Sequence, residues 1–207
     1  MNELLSTDMS RTVLLALAAV IVLLVAWFVY RRVWGRRRTL EGVIRTIGYD
    51  ELRDLVIPKA DEGEIHIEHL VLTAQGLLIL DVKAVRGTVF GSDKMEDWTV
   101  IGEERRYTFP NPQHALYDRI AAVRQVVRQV PVIGRVLFLD GAEFTKGVPS
   151  MVVGLDDLER EFGDSDRTGA ASRIDAFKPH WEQMQRAAQR SGDLAGSRRR
   201  RRAEVIR

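Results

Sequence analysis

Asp81 and Lys83 stand two residues apart at the end of an apolar run, Gly76–Lys83 (GLLILDVK). In a β-strand such neighbours project from one face, with Leu77 and Ile79 below them. On the preceding segment Glu64, His66 and Glu68 share a face by the same rule. A carboxylate and a lysine on one strand, next to an acidic residue on its partner, can do phosphoryl chemistry. Two carboxylates offer oxygen ligands to Mg²⁺, which keeps several waters, and a bound cation polarises a phosphodiester and supplies a nucleophile. Lysine adds positive charge where the phosphorus centre gains negative charge. The plainer reading of the same residues is a strand end whose charges face solvent.

The elements that must position these residues are legible around them. Glu64–Thr73 (EIHIEHLVLT) alternates and then becomes continuously apolar, and Ala74-Gln75-Gly76 is a turn signal, so a β-hairpin is expected. Leu40, Val43, Ile44 and Ile47 repeat at helical spacing, with Gly48 placed to end the helix. Glu51–Pro58 reads as a strand, and Arg86–Gly91 and Trp98–Ile101 as two shorter ones. A helix is predicted over Gln113–Gln129, with Tyr117, Ile120, Val123 and Val127 on its buried face and Pro131 after it. Arg135–Asp140 and Pro149–Gly154 read as strands, and Leu155–Phe162 and Ala170–Gln189 as helices. This order is mixed α/β. Trp98 reads as core or sheet edge, and His66 and His69 as packing or hydrogen-bonding histidines, since no cysteine is present to complete a zinc set.

Thr12–Tyr30 (TVLLALAAVIVLLVAWFVY) carries no charge over 19 residues, the length of a membrane-spanning helix. It exceeds the apolar core of a signal peptide, and Trp27, Tyr30 and Trp34 suit a membrane interface. Arg31, Arg32, Arg36, Arg37 and Arg38 follow the span, against Glu3, Asp8 and Arg11 before it, which places the C-terminal side in the cytoplasm. The expected organisation is a short extension (1–11), a transmembrane helix in contact with lipid (12–30), a basic juxtamembrane linker (31–38), an α/β domain (39–190) and a disordered arginine-rich tail (191–207). The absence of cysteine removes disulfide and thiolate chemistry. Residues 39–197 carry 19 Lys and Arg against 26 Asp and Glu, a net of −7, so the body of the chain does not attract a polyanion by bulk charge. Arg198–Arg202 forms a separate basic run.

The run GEIHIEHLVLTAQGLLILDVKAVRGTVFG, followed by Trp98 and then by Asn111-Pro112, resembles the nuclease-related domain (NERD) family. That pattern has an I-D-H strand, a glycine turn, an E-T-K strand end, a G-x-I-x-G segment, a tryptophan and an N-P before a helix. The resemblance covers roughly residues 40 to 128. It implies a restriction-endonuclease-like mixed sheet flanked by helices, as in the PD-(D/E)xK nucleases, here preceded by the transmembrane helix. It implies metal ligands Glu68 and Asp81 for Mg²⁺, Lys83 as a catalytic residue, and Glu41 in the place of an acid on the first helix, with Glu51 as an alternative. Gln113 is the further catalytic candidate, although it follows Pro112 directly where the family's helix glutamine comes a few residues later, and Glu68 stands where the family usually has Asp. The resemblance therefore implies a membrane-anchored nuclease acting on nucleic acid. The other reading is a non-catalytic, membrane-tethered interaction module that keeps the fold.

Overall fold

A computed structural model describes residues 39–58, 63–139, 141–163 and 167–205, with backbone alone at 167–168 and 190–205. The expected span at 12–30 and linker at 31–38 lie outside the described residues. Among those described, no helix is long and apolar enough to cross a membrane.

Helix α1 (Leu40–Ile47) starts at Thr39, whose side chain accepts a hydrogen bond from Gly42 N, and buries Val43, Ile44 and Ile47. Strand β1 (Gly48–Pro58) follows at once, three residues earlier than the sequence suggests. β2 (Glu64–Thr73) and β3 (Gly76–Lys83) form the expected hairpin, in register from His69↔Leu80 to Thr73↔Gly76. Gly76 takes φ +132°, and a Cβ there would collide with the Pro131 carbonyl, so this turn requires glycine. Three short strands come next: β4 (Gly87–Phe90), β5 (Asp97–Ile101) and β6 (Arg106–Pro110). After α2 (Pro112–Val126) come β7 (Val132–Phe138), β8 (Ala142–Phe144), β9 (Val152–Val153), α3 (Leu155–Phe162) and α4 (Arg167–Val205).

Among the described residues the result is a mixed α/β fold with two sheets and four helices. One sheet has the order β1-β2-β3-β7-β9, and the other the order β6-β5-β4-β8. β3 lies at the centre of the larger sheet, antiparallel to β2 and parallel to β7, from Leu77↔Val132 to Lys83↔Phe138. Its alternation builds a core on each face. Leu77 and Ile79 pack in the cluster that holds Leu116, Ile120 and Val123 of α2 and Trp181 and Met184 of α4. Leu78 and Leu80 pack with Val43, Ile44 and Ile47 of α1 and with Leu155, Leu158 and Phe162 of α3. Each fully buried leucine of this kind contributes about 1.5–3 kcal/mol. Gly134 lets α2 lie close to β7, since a Cβ there would stand 2.7 Å from Ile120 Cδ1. Trp98 is fully buried and contacts Phe109, Phe138 and Phe144 at centroid distances of 6.1–6.2 Å. Phe138 belongs to β7, so this aromatic cluster ties the two sheets together.

Several expectations are corrected. β6 and β8 have no counterpart in the sequence reading. α2 begins at Pro112 and ends at Val126; Ile120, Val123 and Val127 are buried as expected, but Tyr117 is 56 % exposed and Leu116 takes its place. Of Pro149–Gly154 only Val152–Val153 is strand, paired to β7. The backbone of α4 continues as helix through Arg198–Arg202, where composition suggests an irregular tail; Ala and Arg are both strong helix formers.

Candidate active site

The outer ends of β2 and β3 part above the His69↔Leu80 pair. Glu68 is the first β2 residue beyond it, and its Oε2 accepts a hydrogen bond from Val82 N at 3.4 Å. A carboxylate thus takes the strand amide that a backbone carbonyl of β2 would otherwise have received. Asp54, which lies between the Arg53↔His69 and Leu55↔Ile67 pairs, has φ 50°. It is the only non-glycine with positive φ among the described residues, and the irregularity stands opposite Glu68.

Asp81 is 3 % exposed and projects to the α2 face, as Leu77 and Ile79 do. Lys83 Nζ donates to its Oδ1 at 2.7 Å. Arg119 of α2 approaches Oδ2 through Nη1 at 3.5 Å and donates from Nε to the His66 carbonyl at 2.9 Å. Asp81 therefore meets the rule that a buried charge is paired. Sequence reasoning missed Arg119. The signal was present, because Arg119 lies three residues after Leu116 and four before Val123, a cation on the apolar stripe.

The two other expected residues sit elsewhere. Glu41 is on α1, which packs on the sheet face opposite Asp81. It pairs with Arg53 Nη1 at 3.7 Å. Arg53 Nε also contacts Glu51 Oε2 at 2.8 Å, and Glu51 Oε1 lies 2.6 Å from His69 Nδ1. The Glu51 carboxylate holds the Arg53 guanidinium above its ordinary pKa. Gln113 is buried in a corner that secures the start of α2. Its Oε1 accepts from Met151 N at 3.3 Å, and its own N–H caps onto Asn111 Oδ1 at 3.0 Å. Asn111 Nδ2 donates to the Met95 carbonyl at 2.8 Å, so the Asn-Pro pair binds the 92–96 loop to the helix. In the same corner Asp93 accepts from Ser150 N at 2.9 Å, and that bond lowers its pKa below the usual aspartate value.

Glu68 and Asp81 present only oxygen donors, which suits a hard divalent cation retaining part of its water shell. Among the described residues no cluster of three or more His, Asp or Glu could hold a metal, so the protein offers such a cation few side-chain ligands. A groove of about 1010 Å³ begins at Ala84, the residue after Lys83, and runs past Tyr107. Its lining sets Arg86 and Arg105 against Glu103, Glu104 and Glu143, so it is not a uniformly basic channel.

An uncharacterized protein of Bacillus anthracis is 30 % identical over 73 residues, which is 35 % of this chain and 34 % of that protein. The chain thus spans about a third of the length of that relative. No solved structure matches the chain. The nuclease-related domain matches residues 32–139, more than half of the sequence and all of the segment from α1 to β7. The chain belongs to the nuclease-related domain family.

Proposed function

We propose that the domain hydrolyses phosphodiester bonds in nucleic acid with a divalent cation, Mg²⁺, held by Glu68 and Asp81. The observation that supports this most is the contact between Lys83 and buried Asp81 at the point where β2 and β3 part. We read the larger sheet, with α1 and α2 on opposite faces, as a restriction-endonuclease-like arrangement. The cation, when bound, supplies Lewis acidity at phosphorus and helps a water to ionise. Lys83 keeps Asp81 in one rotamer and places a positive charge beside the reacting phosphate. Glu68 fixes the end of β3 through Val82 N, so its carboxylate is already oriented. Glu41 and Gln113 stand outside this group; a part for Glu41 requires Arg53 to release it.

The competing reading is a binding module without turnover. The charge of −7 over residues 39–197 favours it, as does the engagement of both Asp81 oxygens by side-chain cations. Cleavage by the full chain separates the two. Single- and double-stranded DNA and RNA are incubated with Mg²⁺, with Mn²⁺ and with EDTA. Metal-dependent cleavage by the wild type that Lys83→Ala removes supports the nuclease. Intact substrates across all metals leave only the module. For location, we propose a single-pass anchor at 12–30, in contact with membrane lipid, with the domain on the cytoplasmic side.

A further inference from the structure

We infer that Arg119 is the resident cation of this site, and that it couples the binding of a divalent cation to the binding of a nucleic-acid phosphate. The inference rests on the nuclease reading and adds to it. Glu68 and Asp81 contribute two negative charges, and Lys83 and Arg119 contribute two positive ones. The group is neutral as built, so it offers an incoming divalent cation no net attraction. One of the two side-chain cations must leave Asp81 before the carboxylate can serve as a ligand.

The distances identify which one. Lys83 Nζ lies 2.7 Å from Asp81 Oδ1, on the same strand. Arg119 Nη1 lies 3.5 Å from Oδ2, at the outer limit of a hydrogen bond. Arg119 has a second anchor that does not involve Asp81, namely Nε to the His66 carbonyl at 2.9 Å. Its side chain is 20 % exposed, so solvent and substrate can reach it. A guanidinium carries five N–H donors in a rigid fork matched to phosphate oxygens. Turned about its His66 anchor, Arg119 exchanges a carboxylate oxygen for a phosphate oxygen. That move frees Asp81 Oδ2 and leaves the protein part of the site one charge more negative toward the cation. The phosphate thus draws Arg119 away and the cation takes its place. By linkage the two affinities must rise by the same factor.

The test measures Mn²⁺ binding to the full chain by titration calorimetry and by the electron paramagnetic resonance of free Mn²⁺. Each titration is run alone and with a phosphorothioate oligonucleotide that resists cleavage. Wild type is expected to bind Mn²⁺ weakly alone and about 5–150-fold more tightly with the oligonucleotide, the usual range of such coupling. Arg119→Met is expected to bind Mn²⁺ more tightly than wild type without oligonucleotide and to show little further gain with it. Arg119→Gln, which keeps a donor for the His66 carbonyl, is expected to behave likewise; a result found in the Met variant alone would trace to a loosened β2 and overturn the inference. Equal Mn²⁺ affinity of wild type with and without oligonucleotide would also overturn it, and requires no mutant. Asp81→Asn separates the two failures. If Asp81→Asn leaves Mn²⁺ binding unchanged, the cation site itself is misplaced. If Asp81→Asn abolishes binding while both Arg119 variants match wild type, only the role of Arg119 fails.

Discussion

Lys83 Nζ donates to Asp81 Oδ1 at 2.7 Å, and Asp81 is 3 % exposed while the lysine retains 28 % of its side-chain surface. The lysine therefore stands between the buried carboxylate and solvent. Lys83→Ala is expected to lower the cleavage rate by about 10²–10³, the usual effect of removing one positioned electrostatic group. It should also destabilise the fold by about 1–3 kcal/mol, because Asp81 keeps only the longer Arg119 contact. Single-turnover cleavage and urea melts of the same preparation give both values. Lys83→Arg is expected to fail as well, since a planar guanidinium does not fit the place of an ammonium.

Gln113 provides the opposite signature. Gln113→Ala leaves the buried Met151 N–H without a partner and loosens the start of α2. Stability should fall by about 1–3 kcal/mol, while the folded fraction cleaves at close to the wild-type rate. A lowered rate with an unchanged melting temperature would instead return Gln113 to the catalytic group.

The closeness of α2 to β7 can be tested at Gly134. Gly134→Ala places a methyl 2.7 Å from Ile120 Cδ1 and 2.9 Å from Leu116, which should cost about 1–3 kcal/mol. Adding Ile120→Val removes that Cδ1, so the double mutant should lose less than the sum of the two single changes. Denaturant midpoints of the four proteins in the cycle measure this coupling.

Asp93 predicts a pH dependence. The Ser150 amide lowers its folded pKa below the ordinary aspartate value of about 3.9. A lowered folded pKa stabilises the fold above the unfolded value, and that contribution disappears as pH falls through the folded one. Asp93→Asn should therefore be less stable than wild type at neutral pH. The difference should shrink toward zero as the pH is lowered below about 4, which parallel thermal melts would record.

The proposed topology rests on the five arginines after the apolar span. A reporter active only in the cytoplasm, fused to the C-terminus, should be active. Alkaline phosphatase at the same place should be inactive. The reverse pattern would refute the orientation.

The parts that sequence made legible are those with strong local signals. The Glu64–Lys83 hairpin was readable because its turn needs Gly76 and because both strands are apolar next to that turn, Leu70–Leu72 and Leu77–Leu80. Helix α1 was readable from Val43, Ile44 and Ile47 with Gly48 behind them. β6 and β8 were not: Arg106–Pro110 is charged at its start, ends in proline and is largely exposed although it pairs with the adjacent β5, and Ala142–Phe144 is only three residues long and pairs with distant β4. In the site, Asp81 and Lys83 met because strand alternation is a local rule. Arg119 escaped because its contact spans 38 residues, and Glu41 was separated from Asp81 by the sheet itself. Neither relation can be read from spacing alone.

The position of β3 has a consequence for the growing chain. β2 precedes it directly and can pair with it at once, but β7 is made only after three more strands and α2. Until then, one edge of Leu77–Leu80 stays open, four consecutive apolar residues in extended form. Such an edge recruits other unfinished chains. Asp81 and Lys83 end that run with two charges, the device by which natural sequences protect an unavoidable sticky strand. The two charges are therefore expected to guard the nascent chain against aggregation, and neutral replacements at both positions should lower soluble yield during synthesis even where the finished fold tolerates them.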